Sequence, residues 1–319
     1  MKTRLKLATL LAVTIVMTLL SACVLAARGE EKPAAKPTDV VGELEKAKQR
    51  LAPTYALAYK FQAGEQIRTK VVHLATVETK IKGTSQTTKS RTVSTRVWRI
   101  KDVAPSGQIL FENVVERVEM WNSVDGRQEV RYDSAVDKTP PPLFEHVAAS
   151  LGKVLATVTI NPQGRILARQ NTQPQFNPGI GDLTIPFPEV AVKVGASWSI
   201  PDELKIAGED GRVKRIETRQ RYRLEKVEAG VATIGVETEV LTPVNDPKIE
   251  SQLVQRLQRG QIRFDLDAGR LIYKQMDIDE EVFGFSGPES HMQYLARLTE
   301  EPAAADSQLS QEGRETKVK

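Results

Sequence analysis

The chain has a single cysteine, Cys23, in 319 residues. No disulfide framework can brace it, so its stability has to come from buried apolar surface. Aromatic residues make up only 5%, and a nucleic-acid face needs a basic stripe, usually with aromatic platforms. The formal charge is +4, but Lys2, Arg4 and Lys6 supply three of those charges and the remainder carries +1. Elsewhere Lys and Arg are interleaved with Asp and Glu. That is a solvated mixed-charge surface, and nucleic acid is excluded as a partner. The histidines are His73, His146 and His291, none within five residues of another, and no HExxH occurs, so a local metal motif is lacking. There is no G-x-G-x-x-G and no phosphate loop. Gly195-Ala196-Ser197-Trp198-Ser199 lacks the last glycine of a nucleophile elbow. These absences point to a non-enzymatic protein without a cofactor or a metal. A long apolar run is missing too: Leu7 to Leu20 is free of charge, but a membrane-spanning helix needs roughly 20 residues.

What is present begins with that run. A basic head, an apolar centre and then small residues form the order of an export signal, expected over residues 1–22. Leu20-Ser21-Ala22-Cys23 closes it and resembles the lipobox of bacterial lipoproteins. The resemblance implies cleavage before Cys23, acylation of its thiol and amine, and anchorage to a membrane. Val24 in place of Asp implies, by the same resemblance, the outer membrane, facing the periplasm. Ordinary cleavage after Ala26 is the alternative; it would discard the cysteine and leave a soluble periplasmic or secreted chain. Residues 23–52 read as lipid-attachment site, tether and short helix: Pro, Ala and charges to Thr38, then Asp39 as a cap with Val40, Leu44, Ala47 and Leu51 on one side. The polar stretch 300–319 reads as a disordered tail.

Between them lie β signals. Thr92 to Val103 and Gln108 to Met120 alternate around a Pro105-Ser106-Gly107 turn. The order of features then recurs. Val97 to Val103 is echoed by Arg221 to Val227, each followed by a glycine turn and another β run. Helices are expected over Pro142 to Leu151, stopped by Gly152, and over Pro247 to Arg259, capped by Asp246 and stopped by Gly260. After each comes a strand, a turn ending Gly164-Arg165 or Gly269-Arg270, and another strand. The expected fold is therefore mainly β (α+β). It consists of two duplicated antiparallel β-rich units, 53–170 and 190–299, each with one helix packed on its sheet, joined by a Pro/Gly-rich connector at 171–189. The two could build a curved half-barrel, a barrel or two lobes.

Asp265-Leu266-Asp267-Ala268-Gly269 superficially suggests a calcium loop, but the glycine falls at position 5 and the equivalent Asn161-Pro162-Gln163-Gly164 has no acidic residue, so both read as tight turns. Asp277, Asp279 and Glu281 share one face at strand spacing and read as a solvated edge. Trp98, Trp121, Trp198, Tyr222 and Phe264 read as core, with room for some to line an apolar pocket.

Gly260-Gln261-Ile262-Arg263-Phe264-Asp265 through Gly269-Arg270-Leu271 resembles the hairpin of uncharacterised bacterial exported proteins with repeated β-rich units. A more distant likeness, in element order alone, is to periplasmic lipoprotein carriers, whose half-barrel holds acyl chains beneath a helix. These imply a lipid-anchored cell-envelope protein that binds an apolar ligand, a lipid or a lipoprotein component. The alternatives are an envelope scaffold that binds partner proteins and a hydrolase with residues gathered from distant strands. Intact-mass measurement tests the anchor: the mature chain should start at a diacylglyceryl-modified Cys23, and a bare terminus near residue 27 would refute it.

Overall fold

The fold was read from a computed structural model that describes residues 52–172, 183–207 and 213–303. The expected signal, Cys23, the tether and its helix, most of the connector and the end of the tail lie outside those residues.

Alternating apolar and polar residues lay down long strands in a nearly continuous meander. They are β1 (Thr54–Tyr55), β2 (Gln66–Ile81), β3 (Thr84–Val103), β4 (Ile109–Val124), β5 (Val130–Asp133), β6 (Val154–Ile160) and β7 (Ile166–Asn171) in the first half. The second half holds β8 (Val192–Lys193), β9 (Ser197–Ala207), β10 (Val213–Glu228), β11 (Val231–Val240), β12 (Arg259–Asp265), β13 (Arg270–Phe283) and β14 (His291–Pro302). Two short α-helices occur among the described residues: α1 (Glu145–Ala148), led in by a 3₁₀ turn, and α2 (Pro247–Leu253).

β1 and β8 pair as a small ribbon, and the rest form one twelve-stranded sheet in the order β7-β6-β4-β3-β2-β14-β13-β12-β11-β10-β9, with β5 added beside β4. Every pairing between named strands is antiparallel. The recurrence in the sequence is thus a recurrence in space. β2-β3-β4-α1-β6-β7 and β9-β10-β11-α2-β12-β13 are laid down in the same order and direction across the sheet, and β14 joins them by pairing with both β13 and β2. The two runs share one sheet. It does not close into a barrel, because β7 and β9 stand at opposite ends.

Register puts one set of side chains on a buried face. Tyr222, Val236, Gly260, Met276, Leu298 and His73 lie side by side on six successive strands of that face. α1 and its lead-in turn set Phe144 and Val147 over Val115, Val118, Met120 and Leu155. α2 sets Ile249 and Leu253 over Ile206 and Ile216. Both helices are shorter than the sequence suggests. α1 ends at Ala148, and α2 passes into a 3₁₀ turn, Val254–Arg256. Gly260 is not a helix stop; it lies inside β12, where the Gln275 carbonyl oxygen occupies the space a Cβ would need.

Between the helices the buried face is covered by two extended segments, 53–61 and 183–193. Their backbone bonds reveal the curvature of the sheet. Tyr59 N–H donates to Pro162 O at 2.7 Å in the β6–β7 turn, and Lys60 N–H donates to Gly269 O at 3.2 Å in the β12–β13 turn. In sheet order β6 and β13 are five steps apart, about 24 Å if the sheet were flat at about 4.8 Å per step. Adjacent Cα atoms are only about 3.8 Å apart. The sheet must therefore roll toward these segments until the equivalent turns of its two halves meet one dipeptide.

The end of β14 departs from expectation. Glu300 reads as the start of a tail, yet the strand runs to Pro302 and Glu300 is 4% exposed. β13 is likewise interior rather than an edge. Asp277, Asp279 and Glu281 do share a face, but Asp277 binds Arg297 of the neighbouring strand at 2.6 Å.

Gly164 tests the rolled arrangement. At φ +77° its ideal Cβ would lie 2.3 Å from Ile185 O and 2.6 Å from the Tyr59 ring. Gly164→Ala should lower unfolding free energy by about 3 kcal/mol in a urea titration, and a loss under about 0.5 kcal/mol, the size of a neutral surface change, would refute the contact.

Candidate functional site

Among the described residues, two hollows of the sheet bear on function. The larger, about 1180 Å³, is a groove on the face opposite the core. Register runs a charged row across it: Arg221, Glu237, Arg259, Asp277 and Arg297 stand side by side on β10 to β14, followed by Leu74 on β2. Arg221 pairs with Glu237 at 2.9 Å, and Arg297 with Asp277. Such a row largely neutralises itself and favours neither sign of ligand. Trp121 lines this groove rather than the core, because the β4 residues that alternate with it, such as Met120, face inward.

The smaller hollow, about 190 Å³, lies on the core side next to the Tyr59–Lys60 dipeptide. Its apolar wall is built from Tyr59 and Phe61 ahead of β2, Trp98 on β3, Leu183 and Ile185 of the second covering segment, and Leu271 on β13. Tyr59 is the hub of the aromatic packing. Its ring lies 5.6 Å from Phe61, 6.1 Å from Trp98, 5.5 Å from Phe187 and 5.4 Å from Phe264. Its hydroxyl accepts a hydrogen bond from Ile185 N–H at 2.9 Å, and burial raises its pKa, keeping the phenol protonated. Trp98 stacks on Phe111 at 4.4 Å. Of the residues read as core, Trp98, Trp198, Tyr222 and Phe264 pack within the main apolar cluster, and Trp98 also lines the chamber.

One flank of this chamber is ionic. Lys274 and Glu300 are directly opposite on β13 and β14, and their side chains, each 5% exposed, meet at 2.8 Å. Thr69 donates to the other oxygen of Glu300 at 2.9 Å, and Arg96 stands 3.7 Å from that oxygen. Burial alone would raise the Glu300 pKa, but the charges of Lys274 and Arg96 and the hydrogen bonds outweigh it and bring the carboxyl down to about 2. Arg270 pairs with Glu65, and its guanidinium carbon lies 5.9 Å from the Phe61 ring centre. An apolar wall beside fixed polar groups is the usual make-up of a small-molecule site.

The histidines do not converge. His73 is buried on β2, its pKa pushed down to about 4 by burial. His146 is exposed on α1, and His291 stacks on the exposed Phe283, 3.9 Å from Glu281, near the far end of β14. The sequence reading missed Tyr59, Glu300, Lys274 and Arg96. A signal for the first was there, since Tyr55, Leu57, Tyr59 and Phe61 alternate as a strand would. For the ionic group there was none, because its members are far apart in the chain.

No protein-family model matches the chain, and no curated protein does. Among the solved structures similar to it are the following three. Against lipovitellin, from a study of lipid–protein interactions in that protein, identity is 11% and the TM-score 0.40, covering 78% of this chain and 27% of that one. This chain thus spans about a quarter of the lipovitellin chain's length. Against DynF of the dynemicin biosynthesis pathway of Micromonospora chersina, identity is 8% and the TM-score 0.22, with 89% and 94% covered. Against the translocator domain of the autotransporter NalP from Neisseria meningitidis, identity is 4% and the TM-score 0.28, with 83% and 96% covered.

His73 and Glu300 set the acid limb of stability in two separate windows. The folded state keeps His73 neutral down to about pH 4, whereas in the unfolded chain it takes a proton near pH 6.5. Stability should therefore fall by about 3 kcal/mol as pH drops through that window. Glu300, depressed to about 2, contributes stability that is lost as pH falls further, from its unfolded value near 4.5 toward 2. In urea titrations at a series of pH values, His73→Leu should flatten the upper window only; an unchanged slope there would refute the assignment.

Proposed function

We propose that this protein is a non-enzymatic, lipid-anchored cell-envelope protein that holds an apolar ligand in the chamber beside Tyr59. What carries the reading is the make-up of that chamber: an aromatic and aliphatic wall of Tyr59, Phe61, Trp98 and Leu271 around a cavity of about 190 Å³, next to fixed polar groups. A cavity of this size is below the roughly 300–1,000 Å³ of drug-sized sites. It suits a short acyl segment or a single ring rather than a whole membrane lipid. Anchorage through Cys23, with the folded part facing the periplasm, rests on the lipobox resemblance. The role is retention or hand-over of the ligand at the envelope, with the membrane as the fixed partner.

The test uses the full-length chain. Organic extraction and mass spectrometry of the purified protein should recover a co-purifying apolar compound. The stripped protein should take up a neutral apolar fluorophore, N-phenylnaphthylamine, saturably. Leu271→Trp, which fills the chamber, should weaken uptake about tenfold or more at unchanged melting temperature. An empty extract together with no uptake by the unaltered protein would overturn the proposal.

A further inference from the structure

We infer that the ligand of the Tyr59 chamber ends in an anionic oxygen group, a carboxylate on a short apolar body, and that Arg270 receives it. The inference rests on the chamber being a ligand site, as proposed above, and adds the chemical class of the ligand.

The first observation is a donor without an acceptor. A guanidinium carries five N–H donors in one plane. At Arg270 the Nη2 edge is used by Glu65 and the planar carbon lies over Phe61. Its Nε is buried and has no hydrogen-bond partner, although Arg270 is a wall residue of the chamber. A buried unmade hydrogen bond is costly, and an oxygen arriving in the chamber relieves it.

The second observation is the charge balance around the cavity. Four cations stand at or beside it: Arg68, Arg96, Arg270 and Lys274. They are met by three carboxylates. Arg68 pairs with Glu116, Arg270 with Glu65, and both Lys274 and Arg96 face Glu300. Glu300 is held ionised by its two cations, and of the charged side chains that line the cavity itself three are cations, Arg68, Arg270 and Lys274, against the one carboxylate of Glu300. A cationic head would add to that excess and a neutral head would leave it unchanged. An anionic head balances it, and a charge-assisted bond to a guanidinium is roughly twice as strong as a neutral one. The aromatic wall takes the apolar body, so the two halves of an amphiphile find the two halves of the site.

Titration calorimetry on the stripped full-length chain at pH 7 compares octanoate, 1-octanol and octylamine, three heads on one tail. Octanoate should bind about tenfold or more tightly than octanol, and octylamine more weakly than either. Arg270→Gln should remove the advantage of octanoate over octanol, and Arg270→Lys should keep only part of it, through charge alone. The lysine variant keeps the charge but not the Nε donor, so it separates hydrogen bonding from net charge. Equal binding of octanoate and octanol by the unaltered protein, or a preference that survives both substitutions, overturns the inference and leaves the chamber as a plain apolar site. Binding of none of the three removes the chamber proposal itself. Should the glutamine variant fail to fold, discrimination by the unaltered chain and by the lysine variant decides.

Discussion

Two backbone hydrogen bonds, from Tyr59 to Pro162 and from Lys60 to Gly269, set the curvature on which the rest of the molecule depends. The sheet has free ends, so nothing in its own ladder fixes how far it rolls. Lys60 strengthens the contact through its ammonium group, which reaches Leu266 O at 2.9 Å and Asp267 O at 3.2 Å. Tyr59 does so through its ring, buried among four other aromatics. A dipeptide with one backbone bond to each half of the sheet works as a staple between equivalent turns. Because the covering segment belongs to neither recurrent set of strands, it breaks the symmetry of the pair, and the chamber forms on that asymmetric seam.

The seam explains why the chamber is mixed in character. Strands β2, β13 and β14 cross the middle of the sheet, and there the buried face is not uniformly apolar. Lys274 and Glu300 replace what would otherwise be an aliphatic pair. Burying such a pair gives little net stability, and burying one partner alone is strongly unfavourable. Its presence at the seam therefore tells more about what adjoins it than about how the sheet holds together. The groove on the opposite face is different in kind: its charges stand in solvent and pair among themselves, as expected of a face that needs only to stay wet.

The architecture was legible where local chemistry repeats. The Gly164-Arg165 and Gly269-Arg270 turns, the two helix sites and the alternation of strand residues are all visible in the letters, and they place the elements in the right order. What was not legible depends on partners distant in the chain. Glu300 looks like the start of a polar tail because Glu-Glu-Pro-Ala follows a strand; only Lys274 and Arg96 make it a buried ion. Asp277 reads as part of a solvated edge because its sequence neighbours are acidic; it does meet solvent, but on an interior strand and paired with Arg297. Gly260 looks like a helix stop because it ends a helical pattern, yet it is needed for close approach to Gln275. Trp121 looks like core by residue type and is turned to the groove by strand parity alone.

The first long strand of the sheet, β2, lies against the last, β14. Each recurrent set of strands can zip up along the chain as it emerges, but the junction between them waits for the final segment of the fold. The midline is thus completed last, from the first and the last long strands of the sheet. A chain that ended before His291 would lose a keystone from the centre rather than a trim from the border, parting the two wings and laying open the seam where the chamber sits.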